Sequence, residues 1–108
     1  MKLAISLICL ALLAATTGRL QAQEEGDLQK GRALAREVCA ACHAIEKGQP
    51  SPNADAPAFE AIASTRGMSG RALVVALQTA HRTMPNFVLV GDELRGVIAY
   101  ILSLKSRD

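Results

Sequence analysis

The chain has 108 residues, which suits one small domain, and its formal net charge is +2. Twelve basic residues stand against ten acidic ones, and this small excess falls short of the basic surface that nucleic-acid binding requires. Only Phe59, Phe87 and Tyr100 are aromatic, so a domain of this size needs something besides its own side chains to fill its core.

Residues 1–22 have the pattern of a secretory signal peptide. An uncharged and mostly apolar run, residues 3–15, follows a lysine, and residues 20–22 end in a small side chain that suits signal peptidase. The pattern predicts cleavage before Gln23, export to a bacterial periplasm and a single domain over residues 23–108. A retained membrane anchor is the alternative, although this run is shorter than the roughly 20 residues that a spanning helix needs.

Residues 28–38 are expected to form the first helix of the domain. Asp27 is a good N-terminal cap, and Leu28, Leu34 and Val38 belong to an apolar stripe with spacings of three and four residues. Gly31 costs about 1 kcal/mol inside a helix relative to alanine. It is therefore either a tolerated weakness or the point at which another helix crosses closely.

The pentad Cys39-Ala40-Ala41-Cys42-His43 follows directly and carries the clearest chemical signal. Two thiols three positions apart, with a histidine after the second, match the c-type haem attachment signature. In that signature both sulfurs bond to the porphyrin and the imidazole binds the iron. A covalent haem would also supply apolar volume to an aromatic-poor core. Thiol–disulfide exchange, or a zinc site that includes His43 and His81, is the alternative.

Beyond the pentad the sequence predicts a loop and three more helices. Glycine, proline and polar residues over 44–56 indicate the loop, and Ser69 is a plausible cap. The three helices are expected at residues 58–64, 70–80 and 92–105. Residues 82–89 should be non-helical, because Pro85 disfavours helical geometry in the residue before it. The chain is therefore expected to be all-α.

These features together resemble the small monohaem class I cytochromes c over nearly all of residues 27–105. The resemblance rests on an ordered set: Gly31 before the pentad, the pentad itself, Ala56-Pro57-Ala58-Phe59, Met84-Pro85, and Val97-Ile98-Ala99-Tyr100-Ile101. It implies about four helices wrapped around one covalently attached haem. The first and last helices would cross in contact at Gly31 and Tyr100.

The resemblance also implies specific roles at the haem c. They are Cys39 and Cys42 as thioethers, His43 as proximal iron ligand, Met84 as distal iron ligand, and the Pro57 carbonyl as acceptor of the second ring proton of His43. A soft thioether suits haem iron, which agrees with Met84. The alternative is that Met84 fills the core while His81 or no side chain binds the iron. His81 is otherwise expected near the surface or bonded at the end of a helix.

The function that the resemblance implies is one-electron transfer and not catalysis. Two strong axial ligands leave the iron no open position for substrate, and His/Met ligation in an apolar pocket raises the reduction potential. Partners would be other redox proteins in small, transient contacts, with no nucleic acid and no stable membrane insertion after cleavage. The chain would act as a monomer or as the haem-bearing subunit of a dehydrogenase or oxidase complex. A five-coordinate haem enzyme or gas sensor is the remaining alternative.

Overall fold

The computed structural model describes Met1, residues 27–81 and residues 83–107. The predicted signal peptide therefore lies outside the described residues, apart from Met1. All regular structure in the described part is helical, and it contains no β-strand. The prediction of an all-α fold is confirmed.

Four helices follow one another and are numbered here in chain order. The first, α1, covers residues 27–34 and continues as a π-helical turn, Ala35–Cys39. The others are α2 (Phe59–Ser64), α3 (Gly70–Gln78) and α4 (Gly91–Ser103). The three helices expected after the pentad begin and end within two residues of these bounds. None of the helices described is long and apolar enough to cross a membrane.

The starts of α3 and α4 are set in different ways. Ser69 caps α3 as predicted, because its Oγ accepts a hydrogen bond from Ala72 N at 3.2 Å. Val90 precedes α4 without a side-chain cap, and Gly91 begins the helix with a φ of +56°. Asp92 and Glu93 then place negative charge in the first turn, which favours the positive end of the helix dipole.

The helices α1 and α4 cross in backbone contact at Gly31 and Gly96. A Cβ on Gly31 would lie 1.9 Å from Gly96 O, and one on Gly96 would lie 3.2 Å from Gly31 N. Gly31 is thus required by the crossing and is not a tolerated weakness. The residue of α4 that meets Gly31 is Gly96, one turn before the Tyr100 that the resemblance had named. Tyr100 donates its hydroxyl to Ile45 O at 2.7 Å.

The core is small and is organised around α4, which packs against both α2 and α3. Its buried residues are Ala35, Ile45, Phe59, Ala63, Leu73, Val97, Tyr100, Ile101 and Leu104. Val97 and Ile101 lie one turn apart on α4 and are the largest fully enclosed side chains. Phe87 is 39% exposed and does not join them. Only two of the three aromatic side chains therefore fill the core.

Candidate functional site

A cavity of about 480 Å³ lies beside this core. Its volume is in the range of pockets that hold small molecules and cofactors. Aliphatic side chains from three helices form much of its wall, among them Ile62, Leu73 and Ile101. The site residues predicted from the sequence, Cys39, Cys42, His43, Pro57 and Met84, all line this one cavity. Folding therefore brings together residues that are far apart in the chain.

The pentad forms a tight turn at the end of α1 that puts both thiols on the cavity wall. Ala40 N donates to Ala35 O at 2.9 Å, which is the five-residue spacing of a π-helical turn. Cys39 O then accepts from Cys42 N at 3.2 Å and from His43 N at 2.9 Å. Both cysteines are free thiols and half-buried, and burial raises the pKa of the Cys39 thiol. The two thiols thus lie in one wall of the cavity, with no disulfide between them.

The imidazole of His43 is fixed from one side by the backbone. Its Nδ1 lies 2.7 Å from Pro57 O, and Nδ1 must carry the proton because a carbonyl oxygen only accepts. In the neutral form of the ring Nε2 then keeps its lone pair, which is the form in which an imidazole binds a metal. The ring of Phe59 packs against the imidazole with a centroid distance of 5.5 Å. The Pro57 contact that the resemblance implied is present, and its role at an iron stays a prediction.

The loop between His43 and α2 is closed by hydrogen bonds across it. Ala44 N donates to Ser51 Oγ at 3.0 Å, and Phe59 N donates to Ala44 O at 2.9 Å. Asn53 N donates to Cys42 O at 3.1 Å. These bonds fix the two ends of the loop relative to each other. They therefore hold the Pro57 carbonyl next to His43.

Glu60 also holds this loop, a role that the sequence patterns did not predict. Its carboxylate accepts from Gly48 N at 2.8 Å and from Ser106 Oγ at 3.0 Å. Ser106 N in turn donates to Ser64 Oγ at 3.1 Å. The Gly48 bond, then the Ser106 bond, lower the pKa of Glu60. Since both partners are distant in the chain, an acidic residue in a short helix gives no local signal for this role.

Met84 approaches the cavity from the stretch between α3 and α4. It is half-buried and lines the cavity together with its neighbours Pro85 and Phe87. As far as the described residues show, no backbone–backbone hydrogen bond involves residues 83–89. The structure thus brings a thioether and the His43 imidazole to the same cavity, from separate parts of the chain.

His81 lies just beyond the end of α3 and also lines the cavity. It is exposed, and its Nε2 lies 2.9 Å from Ala76 O. The carbonyl can only accept, so Nε2 carries a proton and donates it. Both expectations for this residue, a place near the surface and a bond at a helix end, are observed.

The donors on the cavity wall fit a c-type haem. Two free thiols, one imidazole with an available nitrogen and one thioether are the groups that attach a porphyrin and bind its iron. The aliphatic wall suits the apolar face of the macrocycle. Within the described ranges, no three His, Cys, Asp or Glu side chains come together to hold a metal ion by themselves. The donor set therefore suits a metal that is carried in a macrocycle.

Known proteins of one family match this chain. Residues 26–101 match the family described as cytochrome c oxidase, cbb3-type, subunit III. A cytochrome c-552 from Bradyrhizobium diazoefficiens is 35% identical over 98 residues, which cover 91% of this chain and 92% of the relative. No solved structure matches the chain. The chain therefore belongs to the cytochrome c family, whose members carry a covalently bound c-type haem, and it is a haem-based electron-transfer protein.

Proposed function

We propose that the protein is a periplasmic one-electron carrier with His43 and Met84 as axial iron ligands and thioether bonds from Cys39 and Cys42. The observation that carries this proposal is the wall of the cavity, which collects those four side chains. When bound, the haem supplies a ferric–ferrous couple that accepts and releases one electron. The signal-peptide pattern of residues 1–22 supports export.

The protein's own groups prepare the site for this couple. The Pro57 carbonyl holds the tautomer and orientation of the neutral His43 ring, which would leave the Nε2 lone pair free to bind the iron. The aliphatic side chains of Ile62, Leu73 and Leu77 give the cavity an apolar wall, which favours the exclusion of water. A dry apolar surrounding disfavours the extra positive charge of the ferric state, and a thioether ligand acts in the same direction. These groups therefore raise the reduction potential.

Redox proteins are the partners that suit this site. Lys47, Arg66 and Arg71 are exposed and can steer the approach of an acidic partner surface. Arg82 is also basic, but it lies outside the described residues. Such contacts are small and transient, because an electron carrier must leave its partner after transfer.

The description of the matching family favours a second function. The family is described as subunit III of a cbb3-type cytochrome c oxidase. The chain can therefore instead serve as the haem-bearing subunit of an oxidase complex. Fractionation of the native host separates the two functions. A free carrier appears in the periplasmic fraction, whereas a subunit stays with the detergent-extracted membrane complex and copurifies with oxidase activity.

The Met84→Ala variant tests the axial ligand directly. We expect the haem to stay attached while the midpoint potential falls by about 0.1 V or more, since axial ligands move haem potentials over roughly 0.8 V. The reduced variant should also bind carbon monoxide. Met68→Ala is the matched control, because Met68 packs against the core and is not part of the cavity wall. An unchanged potential in Met84→Ala would count against the proposal.

A further inference from the structure

The C-terminal end of α3 is capped by side chains of the residues that follow it. Carbonyl groups in the last turn of a helix lack partners within the helix. Thr79 Oγ1 donates to Val75 O at 2.6 Å, and His81 Nε2 donates to Ala76 O at 2.9 Å. The backbone N of Thr79 also reaches Ala76 O, but at 3.4 Å. The His81 ring therefore makes the shorter of the two bonds to Ala76 O.

This ring bond comes three residues before Met84 in the chain. Among the hydrogen bonds seen between described residues, it is the last one that ties the chain to α3 before Met84. Pro85 restricts the backbone of Met84 from the other side. Met84 thus stands between one restraint from a side chain and one from a proline ring.

His81 and Met84 line the same cavity, and so does Ala76. A loosened His81 would let the stretch that carries Met84 move away from the wall. The bond to Ala76 O needs only a proton on Nε2, which is present in the charged ring and in one neutral tautomer. The restraint therefore does not depend on a charged histidine.

We propose that His81 is a positioning residue for Met84: its bond to Ala76 O holds the following stretch against the cavity, so that the thioether stays on the iron. This inference rests on the proposed function, in which Met84 is the distal ligand. In this role His81 acts through the backbone, and its Nε2 is engaged by the carbonyl.

Two substitutions of His81 have similar polarity but place the hydrogen-bond donor at different distances from the backbone. The amide nitrogen of glutamine is as many bonds from Cβ as Nε2 of histidine, whereas that of asparagine corresponds to Nδ1 and stops short of Ala76 O. His81 is exposed, so both variants should fold. The experiment measures the affinity of the oxidised holoprotein for added imidazole, which competes with Met84, together with the midpoint potential.

For His81→Asn we expect imidazole to bind roughly three- to tenfold more tightly, the range that corresponds to the loss of one hydrogen bond. His81→Gln should stay within about twofold of the wild type, because it keeps the donor. The control Gln78→Asn, at an exposed position on the same helix end, should leave the affinity unchanged. The midpoint potential should fall in His81→Asn and not in His81→Gln.

The inference is overturned if His81→Asn binds imidazole as the wild type does, or if His81→Gln is as altered as His81→Asn. The second result, together with an unaffected Met84→Ala, would identify His81 itself as the ligand and would refute the proposed function. If Met84→Ala alters the midpoint potential while His81→Asn alters neither the potential nor the imidazole affinity, only the positioning role of His81 is refuted.

Discussion

The two sides of the cavity are held in different ways. Around His43, hydrogen bonds come from its own turn, from across the following loop and from Pro57. Around Met84, backbone hydrogen bonds are not seen for the described residues 83–89. Val88 and Val90 on this second side are 85% and 63% exposed.

From this difference we expect substitutions on the two sides of the cavity to affect different properties. The His43 side shares its contacts with the packing of α1, α2 and α4, so changes there should act mainly on folding and haem retention. The Met84 side contributes few bonds to the fold, so changes there should act mainly on the potential and on access of external ligands. The following predictions test the expectation for the His43 side, which concerns haem retention and stability.

The largest effect is expected when both thiols are removed. In Cys39→Ala combined with Cys42→Ala, extraction with acidified organic solvent should release all of the haem, because no covalent bond remains. The wild type should release none. Each single variant is the matched control and should keep its haem through the remaining thioether. Haem that stays with the doubly substituted protein after extraction would disprove attachment through this pair.

The next largest effect is expected at the crossing of α1 and α4. Gly31→Ala should lower the free energy of unfolding by about 1–3 kcal/mol, because the new Cβ would overlap Gly96 O and force the helices apart. This range is the net loss after the gain of about 1 kcal/mol in helix propensity. Denaturant unfolding of the holoprotein measures it.

Gly70→Ala is the control for that substitution. A Cβ on Gly70 would meet Ile98 Cγ2 at 3.6 Å, which is ordinary contact, so this variant should be as stable as the wild type or slightly more stable. If Gly31→Ala matched Gly70→Ala in stability, the close crossing would not be a determinant of the fold.

The smallest effect concerns Glu60 and depends on pH. Its pKa is lowered in the folded protein, so the ionised carboxylate stabilises the fold above its ordinary pKa of about 4.3. That contribution is lost as the pH falls through the lowered folded-state pKa. Glu60→Gln should therefore be less stable than the wild type at neutral pH, and the difference should shrink in acid.

Thermal unfolding of both proteins between neutral and acidic pH measures this difference. Glu37→Gln, which removes a charge from an exposed position, is the control for net charge. A stability difference for Glu60→Gln that stays constant down to the lowest pH would exclude the carboxylate bonds as its cause.

Local patterns predicted most of the fold and part of the candidate site. The helices after the pentad follow from apolar spacing, from the Ser69 cap and from proline, and all of these act within a few residues. The pentad by itself predicts haem attachment, because the thiol spacing and the adjacent histidine are read directly from the sequence. The resemblance added Pro57 and Met84, which local chemistry does not select by itself.

Two of the missed features depend on contacts between distant residues. Gly96 matters because Gly31 meets it across two helices, and Glu60 because Gly48 and Ser106 reach it from elsewhere in the chain. The π-helical turn was predicted as ordinary helix, since apolar spacing does not distinguish a five-residue hydrogen bond from a four-residue one. The periodicity of a single sequence carries no information on which distant residues will be in contact.

X-ray absorption at the iron edge tests the central claim most directly. With His43 and Met84 as axial ligands, the iron of the oxidised protein should show one sulfur neighbour at bonding distance beside its nitrogen shell, and Met84→Ala should lose that sulfur. A wild-type shell made of nitrogen alone, or one that is unchanged in Met84→Ala, would contradict the account.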